Sequence, residues 1–219
     1  MAAKVHAALD ETTPDGLILD IRDNIGGMTL FGAQVAELLI PGAFSSCRKQ
    51  TRIMEGVDLA GASQILMESP EEQAREIAAG LYTQEDVEAS RRQMAGTYTE
   101  SYQDRFGREG QQALFTGPCV VLTSRRTVSA AEDFLAMLRS NRRATVIGTP
   151  TCGTTGTPML LRLRCGGGAR ICSVGYRLLD GTEFLGCGIR PDIPMESTPE
   201  DILVGRDPVL QKAIDFMRK

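Results

Sequence analysis

The 219-residue chain has little with which to bind a metal. It contains a single histidine, His6, and none of its six cysteines forms the C-x-x-C pair that zinc sites commonly use. We therefore expect no metal site, and no motif predicts a cofactor. No apolar run approaches the roughly 18 residues that a membrane-spanning helix needs, and the N-terminus lacks the pattern of a secretory signal. A membrane span is thus not expected, and the sequence does not fix the cellular compartment.

The basic residues are too scattered to predict a nucleic-acid surface. The formal net charge is -4, and the arginine pairs at 125–126 and 142–143 have no interleaved aromatic side chains. Hydrophobic residues make up 42% and charged residues 24% of the chain, which is ordinary for a soluble globular protein. The length is ample for one hydrophobic core, so we expect a single soluble domain that spans residues 1–219.

Apolar runs that alternate with turns and helices predict an α/β fold. Residues 16–21 have the continuous apolar character of a strand buried on both faces. A polar, glycine-rich turn at 22–27 and an amphipathic helix that reaches Leu39 follow it. Strand, turn, helix and strand in this order build parallel or mixed sheets. Further strands are predicted at 43–54, 119–123, 144–147, 159–164 and 169–176, and further helices at 4–9, 130–139 and 207–217.

The segment from about 70 to 112 differs in composition from the rest of the chain. It is rich in Glu, Gln, Arg and Ala, and it carries helical patterns at 70–79 and 84–95. We interpret it as a helical insertion at the edge or over the face of the sheet.

Ser129 stands at the predicted junction between the strand at 119–123 and the helix at 130–139. One interpretation is an N-cap, with Glu132 three residues later completing a capping box. The other is a nucleophile, because the free N–H groups and the positive dipole at a helix start can hold a developing oxyanion. The motif alone favours the cap.

Four separated motifs change that preference. Residues 17–27, LILDIRDNIGG, resemble the I-x-D-L-R-x-N-x-G-G signature of the C-terminal processing (tail-specific) serine peptidases. Residues 124–132, SRRTVSAAE, resemble the S-A-x-E nucleophile segment of that family, and 146–153, VIGTPTCG, resemble its V-G-x-x-T-x-G loop. Residues 188–193, GIRPDI, resemble its closing motif, and a D-x-x-L-x-x-A helix follows from Asp207. The order and spacing match over nearly the whole chain.

This resemblance implies a crotonase/Clp-peptidase-like β-β-α spiral with a mixed sheet, and it implies acyl transfer from peptide bonds by a serine. Ser129 matches the nucleophile. The N–H of Ala130 and one N–H from Gly26 or Gly27 would form the oxyanion hole, since glycine lets a backbone amide approach a substrate closely. Asp20 and Arg22 are expected to pair and to fix the turn.

The sequence departs from the family at the general base. The tail-specific branch resembled here has a lysine directly after T-x-G, where this chain has Thr154. Residues 151–156 and 180–186 look more like the branch of the tricorn core and the interphotoreceptor retinoid-binding proteins, which uses an upstream histidine and a late glutamate. Glu183 is the candidate for that glutamate, although another register places Leu185 there. His6 lies only ten residues before Gly16, closer than the histidine of that branch.

A serine without a base keeps an ordinary alcohol pKa and is a poor nucleophile. We therefore expect a peptidase catalytic core that is incomplete or weakly active by itself and that acts on peptides or unfolded chains. Two interpretations stay open: the core of a longer, exported protein, or a reduced member of the family. A non-catalytic domain that binds peptides or apolar ligands in the same cleft is the alternative. An acyl-CoA enzyme of the wider superfamily fits the motifs less well. The sequence does not indicate the oligomeric state.

Overall fold

The computed structural model describes residues 2–51, 65–66, 68–94, 103–156, 158–163, 166–172 and 174–218. It divides into two compact units. The first unit comprises Met1–Arg48, Gln103–Thr155 and Arg177–Lys219, and the second comprises Lys49–Tyr102 and Gly156–Tyr176. The prediction of one domain over 1–219 stays a prediction.

In chain order, the elements of the described residues are α1 (Ala2–Thr12), β1 (Leu17–Asp20), α2 (Thr29–Ala36), β2 (Phe44–Ser45), β3 (Cys47–Thr51), α3 (Pro70–Ala78), α4 (Gln84–Met94), β4 (Arg105–Phe106), β5 (Cys119–Thr123), α5 (Ala130–Ser140), β6 (Thr145–Gly148), β7 (Pro158–Arg162), β8 (Gly168–Cys172), β9 (Val174–Leu178), β10 (Ile193–Pro194), α6 (Pro199–Leu203) and α7 (Pro208–Met217).

A four-stranded parallel sheet in the order β1-β5-β6-β10 is the centre of the first unit. All five residues of β5 are buried, as expected for a central strand covered on both faces. On one face, α7 packs through Val209 and Ala213 onto a cluster that includes Val120, Leu122 and Ile147. Helix α5 is enclosed over most of its length, because its residues from Ala130 to Leu138 are all buried.

The parallel sheet explains why distant motifs can meet. Asp20 pairs with Leu122 at the ends of β1 and β5, and Thr123 pairs with Gly148 at the ends of β5 and β6. The segments that follow these strands, 21–28, 124–129 and 149–155, therefore leave the sheet at the same carboxyl edge. This edge is where open α/β sheets usually bind their ligands.

The second unit contains α3, α4 and the β7–β8 hairpin. Helix α3 begins with a capping box in which Ser69 accepts from the Glu72 N–H and Glu72 accepts from the Ser69 N–H. The hairpin is antiparallel, and Pro158 stands opposite Cys172 at its open end. Proline has no N–H to continue the ladder. The strand predicted at 169–176 corresponds to β8, which ends at Cys172, and to the first part of β9, which begins at Val174; residue 173 lies outside the described part of the chain.

The α/β fold class is confirmed. The four-stranded sheet is parallel throughout, and the antiparallel pairs β2–β4 and β7–β8 lie outside it. The two helices of the predicted insertion are present as α3 and α4, whereas β4 within the predicted insertion belongs to the first unit and pairs with β2. The strand predicted at 43–54 is interrupted after Ser45, and its residues 52–54 lie outside the described part of the chain.

Candidate active site

Ser129 occupies a strained turn between β5 and α5. Its backbone has φ 57° and ψ −127°, a combination that residues with a Cβ rarely adopt. A serine that acts only as an N-cap normally has an extended backbone. The side chain is half-buried. This conformation presents the hydroxyl at a sharp bend directly before the first turn of the helix, as the nucleophile turns of hydrolases do.

Gly26 lies against this bend. A Cβ on Gly26, whose φ is +98°, would stand 2.7 Å from the Val128 carbonyl oxygen, 2.8 Å from the Ser129 Cβ and 2.9 Å from the Ala130 nitrogen. Only glycine permits that approach. Asn24 holds the two segments together, since its carbonyl accepts from the Val128 N–H at 3.0 Å and its Oδ1 accepts from the Gly26 N–H at 2.9 Å. The bond from the Gly26 N–H closes an Asx turn at Asn24.

Two backbone N–H groups at this place are available to a ligand. The Gly26 N–H is occupied by Asn24. The N–H groups of Gly27 and Ala130 donate to no acceptor among the residues that the structure describes, and Ala130 is the first residue of α5, whose N–H has no partner within the helix. Of the two glycines considered from the sequence, Gly27 is therefore the one with a free donor, and Gly26 allows the close contact.

Glu132 connects the Ser129 turn to the loop after β6. Its carboxylate is fully buried and accepts from the Ser129 N–H at 3.2 Å, which is the half of the capping box predicted from the sequence. It also accepts from the Thr151 hydroxyl at 2.5 Å and from the N–H groups of Gly153 and Thr154 at 2.6 and 2.8 Å. Sequence reasoning missed these contacts, because a capping box signals only the local pair.

Thr154, which stands where the resembled tail-specific peptidases have lysine, is therefore close to Ser129. The two backbone nitrogens donate to the same Glu132 oxygen, Oε2, so their separation cannot exceed the sum of the two hydrogen bonds, 6.0 Å. The Thr154 side chain is exposed. The backbone at this position is thus near Ser129, but the residue present has no basic group.

Glu183 is exposed and pairs with Arg177 in an isolated antiparallel bridge near the same loop. Its carboxylate forms an ion pair with Arg177, and 65% of the side chain is exposed. The following segment contacts the loop, since the Gly186 N–H donates to the Gly153 carbonyl at 2.8 Å. No hydrogen bond within the described ranges joins Glu183 to Ser129, so its catalytic role stays a prediction.

Arg22 fixes the base of the glycine turn, as the sequence predicts. It donates to Asp20 from Nε at 2.9 Å and to both carboxylate oxygens of Asp207 at 2.8 and 2.7 Å. Hydrogen bonds from Arg22 are the main reason that the pKa values of Asp20 and Asp207 lie below their ordinary range. Asp207 in turn accepts from the Leu210 N–H and caps α7. The pairing of Asp20 with Arg22 is confirmed, and its extension across 185 positions to Asp207 was not predictable from local sequence.

A cavity of about 540 Å³ lies beside the glycine turn. Gly27 and Ala130 line it together with apolar side chains, among them Met28, Phe31 and Phe134. Helix α1 contributes Val5 to its wall. The cavity therefore opens next to the two free N–H groups, and we call it the apolar cavity below.

Ser129 lacks a visible proton acceptor in the part of the chain that the structure describes. Its hydroxyl donates no hydrogen bond to any described residue. His6, the only histidine, is half-exposed on α1, where its Nδ1 lies 2.9 Å from Asp10 Oδ2. Among the described residues there is also no group of His, Cys, Asp and Glu placed to hold a metal ion. No described helix is both long and apolar enough to cross a bilayer.

Comparisons with known proteins agree with the motifs. A carboxyl-terminal-processing protease of Synechocystis sp. is 26% identical over 212 residues, which are 95% of this chain and 38% of that protein. A carboxy-terminal-processing protease of Bartonella bacilliformis is 33% identical over 93 residues, 42% of this chain and 21% of the relative. This chain thus spans between about a fifth and two fifths of the length of these relatives.

Solved structures show the same fold. The structure of mature CPAF complexed with lactacystin superposes with a TM-score of 0.68 at 19% identity and covers 99% of this chain and 45% of its own. The photosystem II D1 C-terminal processing protease gives a TM-score of 0.54 at 20% identity over 89% of this chain and 38% of that structure. The family model of peptidase family S41 matches residues 1–195. Since that match takes in the glycine turn, the Ser129 bend and the loop after β6, this chain belongs to peptidase family S41.

Proposed function

We propose that the chain is a serine-type peptidase core in which Ser129 attacks a substrate peptide bond. The observation that carries the proposal is the strained Ser129 bend packed against Gly26, with the free N–H groups of Gly27 and Ala130 beside it. Strained backbone conformations persist where the surrounding contacts enforce them, and they concentrate at functional sites. Peptides and unfolded protein chains are the proposed substrates, in keeping with the names of the relatives.

The proposed reaction is acyl transfer in two steps. The Ser129 oxygen adds to the scissile carbonyl carbon, and the negative charge on the carbonyl oxygen is held by the N–H groups of Gly27 and Ala130. The C–N bond then breaks, the amine leaves with the proton lost by the Ser129 hydroxyl, and an ester to Ser129 remains. Water adds to that ester, the new carboxyl end of the peptide leaves, and the Ser129 oxygen regains a proton. Removing one donor of such a pair typically costs about a hundred- to a thousandfold in rate.

The scheme needs an acceptor for the proton of the Ser129 hydroxyl. No described residue accepts it, and general acid–base catalysis usually contributes about a hundred- to ten-thousandfold. We therefore infer that these 219 residues act slowly by themselves. Glu183 enters no step of the scheme, because its known partner is Arg177.

A fluorophosphonate probe tests the proposal. We expect slow but saturable labelling of the wild-type chain, located at Ser129 by mass spectrometry and absent from Ser129→Ala. A Ser124→Ala variant is the matched control, since Ser124 lies in the same loop but its hydroxyl donates to the Arg22 carbonyl. Labelling elsewhere, or none after long incubation, would refute the nucleophile, whereas rapid labelling would refute only the inference of slow action.

A non-catalytic binding domain is the second candidate function, and the apolar cavity is the observation that favours it. In that case peptides or apolar ligands bind with equal strength to the wild type and to Ser129→Ala, and no peptide is cleaved at any pH. Cleavage that disappears in Ser129→Ala would decide for the peptidase.

A further inference from the structure

We propose that Asp133 is a positioning residue of the oxyanion hole. Through the Thr29 hydroxyl, its carboxylate fixes the Gly27 N–H relative to the other donor, the N–H of Ala130. The inference rests on the proposed function, because the spacing of the two donors affects a rate only if Ser129 attacks a substrate. Asp133 contacts no reacting atom in that scheme and acts through the hydrogen bond that joins α5 to α2.

The Gly27 donor is held only weakly by its own residue. Its N–H belongs to the peptide group between Gly26 and Gly27, and both glycines have a positive φ, +98° and +143°. Without a Cβ on either side, this peptide group can rotate with little steric resistance. A Cβ at Gly27 would meet no atom within 4 Å among the residues that the structure describes. The direction of the N–H therefore depends on the anchors on both sides of the glycine pair.

Each side of the glycine pair has one such anchor. On the N-terminal side, Asn24 joins the turn to the Ser129 bend through its carbonyl and its Oδ1. On the C-terminal side, Thr29 is the first residue of α2, and its hydroxyl donates to Asp133 Oδ2 at 2.6 Å. The N-cap residue of α2 is Met28, whose side chain makes no capping hydrogen bond. The start of α2 is thus tied to α5 by Asp133 and not by a local cap.

Asp133 is well placed to set the spacing of the two donors. It lies in the first turn of α5, three residues after Ala130, so the helix fixes its position relative to the Ala130 N–H. Its carboxylate is buried, and its second oxygen, Oδ1, accepts from the buried Thr155 hydroxyl. Hydroxyl bonds to a carboxylate are about twice as strong as neutral hydrogen bonds, and 2.6 Å is a typical length for them. The two bonds restrain the carboxylate, which in turn holds Thr29 at one place beside α5.

An acidic residue in the first turn of a helix also has an ordinary role, since it stabilises the positive end of the helix dipole. That role does not involve Thr29, and it predicts that loss of the Thr29 hydroxyl changes stability alone. The positioning role predicts a loss of oxyanion stabilisation. Catalytic groups must be held within about 0.5 Å of their productive geometry, and a displacement of about 1 Å can cost about a hundredfold in rate. Because Asn24 remains as the other anchor, we expect a loss of about tenfold.

The inference is tested by comparing two probes of Ser129, a fluorophosphonate and its thiono analogue, in which sulfur replaces the phosphoryl oxygen. That oxygen accepts from the two N–H donors during attack, whereas sulfur is a weak acceptor. The ratio of the two labelling rates therefore measures what the donors contribute. The fraction of folded protein cancels in this ratio, because unfolding lowers both rates equally.

The Thr29 hydroxyl is the first target. Thr29→Val removes the hydroxyl but keeps the branched shape of the side chain, and it should lower the oxygen-to-sulfur rate ratio about tenfold. Thr29→Ser keeps the hydroxyl and should restore the ratio. Thr123→Val is the matched control, because the Thr123 hydroxyl is also buried but donates to the Thr149 carbonyl, at 2.9 Å. It should lower the melting temperature and leave the ratio unchanged.

Asp133→Ala shows whether Thr29 acts through this carboxylate. Asp133→Ala should lower the ratio at least as much as Thr29→Val, and adding Thr29→Val to it should cause no further loss, because the contact is already absent. If Asp133→Ala does not fold, the comparison of Thr29→Val with Thr29→Ser decides.

Equal ratios in Thr29→Val and Thr123→Val, failure of Thr29→Ser to restore the ratio, or a further tenfold loss in the double variant would overturn the positioning role. Labelling at Ser129 would in each case keep the peptidase proposal. A wild-type chain that is not labelled at Ser129 would refute the peptidase proposal and this role with it.

Discussion

Replacing Thr154 with lysine should raise the rate at which Ser129 reacts with a fluorophosphonate. Thr154 is exposed, and it is held through its backbone N–H rather than through its side chain. The substitution therefore needs no repacking and leaves the hydrogen bond to Glu132 in place. The nitrogens of Thr154 and Ser129 are at most 6.0 Å apart, a distance that the flexible four-carbon stem of lysine can cover.

The size of the effect follows from the fraction of neutral amine. A general base contributes about 10²- to 10⁴-fold when it is unprotonated. With an ordinary lysine pKa of about 10.4, about one amine in ten is neutral at pH 9.4 and about one in a thousand at pH 7.4. The expected gain in labelling rate of Thr154→Lys over wild type is therefore about 10- to 1,000-fold at pH 9.4, and it should fall about tenfold for each pH unit below that.

The assay is the second-order rate of fluorophosphonate labelling between pH 7 and 10. Thr154→Gln is the matched control, because glutamine is polar and long but cannot accept the proton as an amine does. The double variant with Ser129→Ala should show no labelling. Equal rates for the lysine and glutamine variants at pH 9.4 would refute the argument, since either Ser129 is not the nucleophile or the loop does not hold position 154 beside it.

Three further predictions concern the scaffold. Gly26→Ala should lower the melting temperature more than Gly181→Ala. Both glycines have a positive φ, +98° and +90°, but only a Cβ at Gly26 meets backbone atoms. Equal losses measured by calorimetry would contradict the close approach of Gly26 to the Ser129 bend. Glu132→Gln should place an amide NH₂ against two N–H donors and cost about 1–3 kcal/mol for each of these two groups left unsatisfied, which is a loss of about 4 °C or more in melting temperature. Glu183→Gln, at an exposed side chain, should change the melting temperature little. Arg22 depresses the pKa values of its two carboxylate partners, Asp20 and Asp207, so its stabilisation of the fold is complete above their unfolded pKa of about 3.9 and is lost as the pH falls through the lower folded values. The difference in melting temperature between wild type and Arg22→Met should therefore be constant from pH 7 to about 5 and should shrink below about pH 4. A constant difference down to pH 2 would contradict this.

Local patterns predicted most of the elements around the site. The apolar strand at 119–123 and the helix that begins at Ala130 are both present, because a buried strand and apolar residues at helical spacing are encoded by neighbouring residues. The Asx turn of Asn24 and the Ser129–Glu132 half of the capping box are likewise short-range features. Interactions between residues two to four positions apart can be predicted from a single sequence.

The long-range contacts of the site could not be predicted from the sequence. The bonds from Glu132 to the loop at 151–154 and from Arg22 to Asp207 depend on how the parallel strands bring separate segments to one edge. The contribution of Val5 to the apolar cavity depends on where α1 packs. The motifs showed that these segments belong together, but the choice between the Gly26 and Gly27 N–H groups required the coordinates.

The conformation of Ser129 bears on why a cap alone does not account for this turn. A non-glycine residue in a sparsely populated backbone region costs about 1–3 kcal/mol, whereas a capping serine in an extended conformation costs nothing comparable. Here the strain is enforced from two sides, by Asn24 through the Val128 N–H and by Glu132 through the Ser129 N–H. These contacts also leave the N–H of Ala130 open. The geometry is thus suited to the proposed oxyanion at a strained serine, and in the proposed reaction the missing acceptor of the hydroxyl proton would limit the rate.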